Sequence, residues 1–237
     1  MKKLFFVTLT LILFFYVLSY AEKTFFASGS KDKREISLTF DDGPGLNTKE
    51  ILKILKDKDV KATFFLLGTS VAKHPLLVKE IFDAGHELAN HTYNHINFFK
   101  YKEDETEKEK LEEELLSCQD LIKSITGYRT KLVRFPYGYS HENALSVARE
   151  NNYKVINWSF GADWKTFSSS QEMLDMYLKN CEPGTIFLMH DLPKNSNLTD
   201  MLPELIDELK NRKYVFVTVS ELLKIKLRQD NKKVEIN

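Results

Sequence analysis

The chain has 237 residues, of which 43% are hydrophobic and 29% charged, so it can bury a sizeable core and is not a mostly disordered chain. Its 34 lysine and arginine residues balance 34 aspartate and glutamate residues, which excludes the broad positive field expected of a dedicated nucleic-acid-binding protein. The two cysteines, Cys118 and Cys181, are too few for a disulfide scaffold and lack the spacing of a thiolate zinc site.

The N-terminal segment Met1–Ala21 has the pattern of a secretory signal peptide. Lys2 and Lys3 precede an uncharged apolar run, and the small residues Ser19 and Ala21 are spaced for cleavage. The run is slightly short of the roughly 20 residues that span a bilayer, so an uncleaved membrane anchor is the alternative. Both interpretations predict an exported protein that is periplasmic, secreted or in the cell envelope. In such a compartment Cys118 and Cys181 either form a disulfide or remain free thiols.

Strand-like and helix-like segments alternate from Glu35 onward, as judged from apolar period and turn residues. In chain order, the predicted elements are strand Glu35–Phe40, helix Thr48–Lys58, strand Ala62–Gly68, helix Pro75–Gly85, strand His86–Thr92, helix Lys102–Lys123, strand Leu132–Gly138, helix Asn143–Asn151, strand Lys154–Gly161, helix Gln171–Asn180, strand Thr185–Asp191, helix Leu202–Asn211 and strand Tyr214–Val219. The charge-dense start of the third helix predicts a solvated outer face.

This alternation predicts an α/β fold with about seven parallel strands, either closed into a barrel or left open and doubly wound. We favour the barrel. We expect one domain over residues 35–227, preceded by a linker at 22–34 and followed by a polar tail at 228–237. Both architectures place ligands at the carboxyl ends of the strands.

Residues capable of chemistry follow the ends of five predicted strands. They are Asp41 and Asp42 after the first, His91 and His95 after the third, Arg134 and Tyr137 at the fourth, Asp163 and Trp164 after the fifth, and His190 after the sixth. Because the carboxyl ends of parallel strands share one edge of a sheet, these side chains are expected to converge.

The two adjacent aspartates and the two histidines suggest a metal site. Neighbouring carboxylates repel each other unless a cation or strong donors compensate. Two imidazoles and one carboxylate would hold one divalent metal ion and leave coordination positions open for water and substrate, as in a catalytic site. Zinc suits these ligands best, but cobalt, nickel or iron would also fit, and iron would imply oxygenase chemistry instead.

Five ordered motifs carry a resemblance to a known family. They are TFDDGP at Thr39–Pro44, HTYNH at His91–His95, RFPYG at Arg134–Gly138, the pair Asp163-Trp164, and LMHD at Leu188–Asp191. In order and spacing they resemble the motifs of the polysaccharide deacetylases, the NodB-homology group or carbohydrate esterase family 4, across roughly Glu35 to Leu223. The resemblance implies a distorted (β/α) barrel, a divalent metal and hydrolysis of acetyl groups on a sugar polymer.

The resemblance also implies roles for individual residues. Asp42, His91 and His95 are similar to the family's metal ligands, Asp41 to its general base and His190 to its general acid. Arg134 resembles the arginine that orients the base, and Asp163 the aspartate that holds the acid. Tyr137 resembles the residue whose backbone N–H helps to form the oxyanion hole, and Trp164 and Leu188 resemble the walls of the acetyl pocket. The segment Trp158–Trp164 is shorter than is common in the family and has Gly161 where a further aspartate is usual.

The expected substrate is an acetylated polysaccharide containing N-acetylglucosamine, such as peptidoglycan or a chitin-like oligomer. An O-acetyl esterase of the acetylxylan type would use the same residues. A non-catalytic envelope protein that binds glycans, or a small-molecule amidohydrolase, would retain the fold. Contact with a membrane is expected only through an uncleaved N-terminal segment.

Overall fold

The structure, a computed structural model, describes residues 23–191 and 196–225. Its strands are β1 (Phe25–Phe26), β2 (Glu35–Asp41), β3 (Thr63–Leu66), β4 (Glu87–Asn90), β5 (Leu132–Val133), β6 (Lys154–Ile156), β7 (Phe160–Gly161), β8 (Ile186–His190) and β9 (Val215–Phe216). Its α-helices are α1 (Thr48–Asp57), α2 (Gly68–Lys73), α3 (Pro75–Asp83), α4 (Glu105–Thr126), α5 (Glu142–Glu150), α6 (Ser170–Lys179), α7 (Ser196–Asn211) and α8 (Val219–Leu223). Short 3-10 helices lie at Phe98–Lys100 and Pro136–Gly138.

All strand pairs in the described ranges are parallel. The strand order is β1-β6-β5-β4-β3-β2-β8-β7, and β9 pairs with β2 outside this path. In the central pair, Asp41 at the end of β2 lies opposite His190 at the end of β8. The parallel arrangement therefore brings the ends of strands that are distant in sequence to one edge of the sheet.

The sheet curls because β6, the second strand in the order, and β7, the last, are close in sequence. Only Asn157, Trp158 and Ser159 separate them, a link that spans at most about 14 Å between strand ends. Ser159 joins the two ends: its N–H donates to the carbonyl of Ile186 at 3.0 Å, and its hydroxyl donates to the carbonyl of Ala27 at 2.9 Å. The result is a curled, incompletely closed sheet of parallel strands, which confirms the predicted distorted barrel.

Alternate residues of β3 point to two buried layers, as the strand period requires. Phe64 and Leu66 pack in a cluster that includes residues of the outer helices, whereas Phe65 belongs to an interior cluster with Val219 and Leu222 of α8. The Val219 N–H donates to the hydroxyl of Thr63, the first residue of β3, at 2.9 Å. Helix α8 thus covers the amino ends of these strands, and the carboxyl ends are left for the site.

Several predicted elements are shorter than expected. The predicted strand Leu132–Gly138 ends at Val133, and Pro136 begins a 3-10 turn, since proline cannot donate to a sheet hydrogen bond. The predicted strand Lys154–Gly161 is divided into β6 and β7. Gly68 lies at the start of α2, a helix that the sequence pattern missed. Residues 22–34 were assigned to a linker, yet Phe25 and Phe26 within that range pair with β6.

The two cysteines are free thiols in the structure. Cys118 is buried on α4 and its thiol donates to the carbonyl of Leu66 at 3.3 Å, while burial raises its pKa to about 12. Within residues 23–191 and 196–225, no helix is long and apolar enough to cross a membrane. The predicted signal segment Met1–Ala21 and the polar tail 228–237 lie outside the described residues, so these assignments remain predictions.

Candidate active site

The predicted site residues meet at the carboxyl edge of the sheet. Asp41 ends β2, His91 directly follows β4, Arg134 directly follows β5, and His190 ends β8. Neighbouring strands in a sheet lie about 4.8 Å apart, so this placement brings side chains from distant parts of the sequence within reach of one another.

Asp42, His91 and His95 form a cluster with the geometry of a metal site. One ligand atom from each residue lies within 4.8 Å of the others, and no other such group of three occurs in the part of the chain that the structure describes. The Oδ1 atom of Asp42 lies 3.5 Å from Nε2 of His91 and 3.2 Å from Nε2 of His95. The three residues come from two loops, one after β2 and one after β4.

The donor atoms fit a cation. The His91 Nδ1 atom lies 2.6 Å from the Arg134 carbonyl oxygen, which can only accept, so Nδ1 carries a proton and a neutral ring directs the lone pair of Nε2 toward Asp42. The Asp42 Oδ1 atom is buried and has no hydrogen-bond partner among the described residues. Lone pairs that face each other at 3.2 to 3.5 Å require positive charge between them.

The pKa shifts show the same demand for positive charge. Burial alone would raise the pKa of Asp42, but the close contact with His91 and the charges of His91, His95 and His190 lower it overall. Burial alone would lower the pKa of His91, yet the negative charge of Asp41 and the contact with Asp42 raise it. A metal ion would supply the positive charge that this buried cluster favours.

Asp41 is held by a buried arginine. The Nη1 of Arg134 lies 2.7 Å from Oδ1 of Asp41, and neither residue is more than 2% exposed. Arg134 also donates to the hydroxyl of Thr39 at 2.8 Å and to the carbonyls of Ile156 and Asn157 at 3.0 and 3.1 Å. Its guanidinium lies 4.0 Å from the ring centroid of Phe65. These contacts leave Arg134 a single orientation, which fixes one oxygen of Asp41.

His190 and Asp163 form a second pair. His190 Nδ1 donates to Oδ1 of Asp163 at 2.9 Å, and the His190 backbone N–H donates to Oδ2 at 2.6 Å. Burial alone would lower the pKa of His190, but the hydrogen bond and negative charge of Asp163 raise it to about 9. The imidazole is therefore protonated at neutral pH and can donate a proton from Nε2.

Aromatic side chains flank the two histidine positions. The Tyr137 ring packs edge-on against His95 with centroids 4.9 Å apart, and the Trp164 ring packs edge-on against His190 at 5.8 Å. Both rings are more than half exposed, whereas Leu188 is nearly buried. Gly161 makes this packing possible, because a Cβ at that position would lie 2.8 Å from Leu188 and 3.0 Å from Trp164.

Comparison with known proteins supports the assignment to a family. The sequence profile of a family described as polysaccharide deacetylase matches residues 28–156. A peptidoglycan-N-acetylglucosamine deacetylase of Bacillus cereus is 39% identical over 209 residues, which cover 86% of this chain and 74% of the relative. This chain belongs to the polysaccharide deacetylase family. The family that the five motifs indicated is thereby confirmed.

Solved structures share the fold of this polysaccharide deacetylase. A crystal structure of a peptidoglycan N-acetylglucosamine deacetylase aligns with a TM-score of 0.80 at 35% identity, covering 86% of this chain and 95% of the other. A Bacillus anthracis protein described as a CE4 family pseudoenzyme aligns with a TM-score of 0.78 at 28% identity, covering 86% of this chain and 70% of the other. The fold is compatible with an enzyme and with a pseudoenzyme, so activity must be argued from the site residues.

Sequence reasoning missed two buried carboxylates that support the site loops. Asp191 accepts from the hydroxyl of Thr48 and from the Gly45 N–H at 3.3 Å, which ties the end of β8 to the loop after β2. Glu114 on α4 is 1% exposed and contacts the loop that carries His91 and His95. Glu107 and Glu114 are both buried, so the predicted solvated face of this helix is wrong at these two positions. Their spacing of seven residues along the apolar stripe was the available signal.

Proposed function

We propose that this polysaccharide deacetylase removes N-acetyl groups from N-acetylglucosamine units of a polysaccharide, with peptidoglycan as its target. The observation that carries the proposal is the combination of the Asp42–His91–His95 cluster with Asp41 and His190, which are register partners at the ends of β2 and β8. A relative that is 39% identical over 209 residues is named as a peptidoglycan-N-acetylglucosamine deacetylase. Amide hydrolysis requires a base, an acid and an electrophile, and this cluster offers all three.

We assign the metal site to Asp42, His91 and His95, with zinc as the expected ion and cobalt or nickel as alternatives. When bound, such an ion supplies Lewis acidity, which polarises a carbonyl oxygen and acidifies water. The Nδ1 contact of His91 with the Arg134 carbonyl orients the ring for ligation.

Asp41 acts as the general base in this proposal. Arg134 occupies Oδ1 of Asp41, which leaves Oδ2, 3.7 Å from His91 Nε2, to take a proton from the attacking water. The buried guanidinium also pairs directly with this carboxylate. The main-chain N–H of Tyr137 is the proposed donor to the oxyanion that forms on the acetyl carbonyl.

His190 acts as the general acid. An amine is a poor leaving group unless it is protonated, and Asp163 keeps His190 in its protonated form. Since His190 lies beside Asp41 on the neighbouring strand, the base can take a proton from the attacking water while the acid gives one to the nitrogen that leaves when the C–N bond of the same amide breaks. Trp164 and Leu188 are the proposed walls of the acetyl pocket, and the exposed faces of Trp164 and Tyr137 are available to a sugar ring.

The experiment is acetate release by the full chain from peptidoglycan, N-acetylglucosamine oligomers and acetylxylan, with zinc or cobalt and with a chelator. We expect metal-dependent release from the N-acetylated polymers and none from the Asp41→Asn variant. If acetate is released from acetylxylan alone, the proposed activity is that of an O-acetyl esterase and not of an N-deacetylase. The absence of release from every polymer in the presence of metal would reject both.

A non-catalytic glycan-binding function is the second candidate, because a protein described as a pseudoenzyme shares this fold. Co-sedimentation with insoluble peptidoglycan distinguishes it from the enzyme. If the parent chain binds peptidoglycan without releasing acetate, and Asp41→Asn binds it equally well, the protein is a binding protein. The intact set of Asp41, Asp42, His91, His95 and His190 favours the enzyme.

Residues 35–227 are the proposed catalytic domain. We also propose that Met1–Ala21 directs export, since the named substrate of the relatives is a cell-wall polymer. N-terminal sequencing of the protein recovered from outside the cytoplasm decides whether this segment is a cleaved signal peptide or an anchor.

A further inference from the structure

The buried carboxylate of Glu114 lies beneath the loop that carries two proposed metal ligands. One of its oxygens, Oε2, accepts from the backbone N–H groups of Tyr93 and Asn94 at 3.0 and 2.6 Å. The other, Oε1, accepts from the side-chain amide of Asn94 at 2.7 Å. Tyr93 and Asn94 are two of the three residues between His91 and His95, so Glu114 contacts the connection between the two ligands rather than the ligands themselves.

This loop has a backbone conformation that needs support. Thr92 and His95 have φ angles of 67° and 58°, a left-handed region that residues other than glycine adopt rarely and β-branched residues least of all. The side chain of a residue leaves the backbone in a direction set by φ and ψ. The left-handed turn at His95 therefore decides whether its imidazole faces Asp42.

A second contact anchors the same loop to helix α4. The Asn90 side chain donates to the carbonyl of Leu115 at 2.8 Å and accepts from the Thr92 N–H at 2.8 Å. On the opposite side, the N–H groups of Gly68 and Thr69 donate to the carbonyls of Thr92 and Tyr93 at 2.9 and 3.0 Å. The loop is thus clamped between α4 and the start of α2, and Glu114 provides three of the hydrogen bonds on the α4 side.

We infer that Glu114 is a positioning residue that sets the affinity of the Asp42–His91–His95 cluster for its metal ion. This inference rests on the proposed metal site. A carboxylate suits the position because it only accepts, and because charge-assisted bonds to N–H groups are shorter and stronger than neutral ones. Without it, two adjacent backbone N–H groups lose their acceptor, and the loop gains other conformations in which His95 does not face Asp42. Partners that orient metal ligands typically change affinity by about 10- to 100-fold when removed.

The test measures metal affinity and folding separately. Zinc and cobalt dissociation constants are determined by competition with a chromophoric chelator, on folded apo-protein of the full chain. The variants are Glu114→Ala, Glu114→Gln and, as the matched control, Glu113→Ala, because Glu113 is the neighbouring exposed glutamate paired with Lys110. Urea unfolding of each apo-protein reports the stability effect independently.

We expect Glu114→Ala to raise the metal dissociation constant by at least about 10-fold and Glu113→Ala to leave it within 2-fold. Glu114→Gln should retain most of the affinity, because its amide oxygen can still accept from the two backbone N–H groups. If Glu114→Ala does not fold, Glu114→Asp replaces it, since the shorter carboxylate cannot reach both N–H groups, and the same 10-fold rise is expected. The cobalt absorption spectrum of the variant should also change, because His95 no longer keeps one orientation.

Two results would overturn the inference in distinguishable ways. If the parent protein binds metal and the folded Glu114→Ala variant binds it equally well, Glu114 has a purely structural role. Parent protein that binds neither zinc nor cobalt would reject the proposed metal site itself, and the inference with it.

Discussion

Four residues of the site other than glycine have left-handed backbone conformations: Asp42, Thr92, His95 and Tyr137, with φ angles between 58° and 69°. Each such conformation costs on the order of 1–3 kcal/mol and persists only where the surrounding contacts impose it. Three of the four are proposed metal-site residues or lie between them, and the fourth packs against His95. Four of the eight non-glycine residues with positive φ in the described ranges thus lie at the site, where side-chain direction matters for the chemistry.

The adjacent aspartates should separate metal binding from turnover. Asp42 faces both histidine Nε2 atoms, whereas Asp41 is paired with Arg134. We expect Asp42→Ala to lose bound metal and activity together, and Asp41→Asn to retain metal and lose activity. Elemental analysis of the two purified variants and acetate release are the measurements. Equal loss of metal in both variants would contradict this division of roles.

The His190–Asp163 pair predicts a shift in the pH profile. Because Asp163 raises the pKa of His190 to about 9, His190 is protonated below that pH and loses its proton above it. Removing the charge with Asp163→Asn lowers this pKa, so the alkaline limb of kcat/KM should move to lower pH by at least about one unit. Asp175→Asn, at an exposed position on α6, is the control. An alkaline limb that does not move would assign the acid to another group.

At the scale of elements, the sequence predicted the helices and strands that have a long periodic pattern. The helices and the central strands follow from apolar periods of 3.6 and 2, and the site residues follow from the rule that parallel strands end at one edge. Strand β1 and helix α2 were missed because two and six residues are too few to show a period. The contact between His91 Nδ1 and the Arg134 carbonyl was not predictable, since it depends on how two loops approach each other.

Glu114 illustrates the other limit of prediction from sequence. A glutamate in a charge-dense segment is interpreted as solvated, because burial of a carboxylate is unfavourable without donors. Its donors, the N–H groups of Tyr93 and Asn94, are about 20 residues earlier in the chain. The spacing of Glu107 and Glu114 along the apolar stripe could have indicated burial, but only tertiary structure brings Glu114 to its donors and shows that it supports the site.

The start of β4 predicts an acid sensitivity of folding. His86 is only 6% exposed, and burial together with the charge of Lys61 lowers its pKa to about 4. The folded state then binds fewer protons than the unfolded state between pH 6.5 and 4. The contribution of His86 to the free energy of unfolding is therefore complete above pH 6.5 and is lost as the pH falls toward 4. The loss from this group alone is about 3 kcal/mol.

The variant His86→Asn tests this linkage. In the parent protein, the Ala62 N–H donates to Nδ1 of His86 at 3.3 Å. The side-chain oxygen of asparagine can accept the same hydrogen bond, but asparagine does not titrate. Urea unfolding at several pH values should therefore show that the free energy of unfolding of His86→Asn falls less between pH 6.5 and 4 than that of the parent. The control is His74→Asn, at an exposed histidine, in which the free energy of unfolding should fall as much as in the parent. Parallel curves for the parent and His86→Asn would show that His86 does not control the acid limb.

At the scale of the whole molecule, the first described residues and the site lie at opposite edges of the sheet. Lys23 and Thr24 precede β1, which is parallel to β6, so the chain enters at the amino edge of the sheet. Asp41, His91 and His190 lie at the carboxyl edge.

The metal site should also stabilise the whole fold. Its three ligands come from loops after β2 and β4, and they meet only in the folded chain, so the ion binds the native state preferentially. At a free metal concentration 100 times the dissociation constant, the linkage contributes about 2.7 kcal/mol. For a domain of this size, each kcal/mol corresponds to a shift of about 2–4 °C in Tm, so zinc should raise Tm by roughly 5–10 °C. Calorimetry of the full chain with zinc and with a chelator measures this shift.

The variants assign that stabilisation to the site. Asp42→Ala should lose the zinc-dependent rise in Tm, because the remaining imidazoles lack the carboxylate that lies between them. Asp41→Asn should retain the rise, since Asp41 is not among the three clustered ligands. A rise of equal size in Asp42→Ala would mean that zinc stabilises the protein at a different place, and the link between the cluster and the stability of the barrel would be rejected.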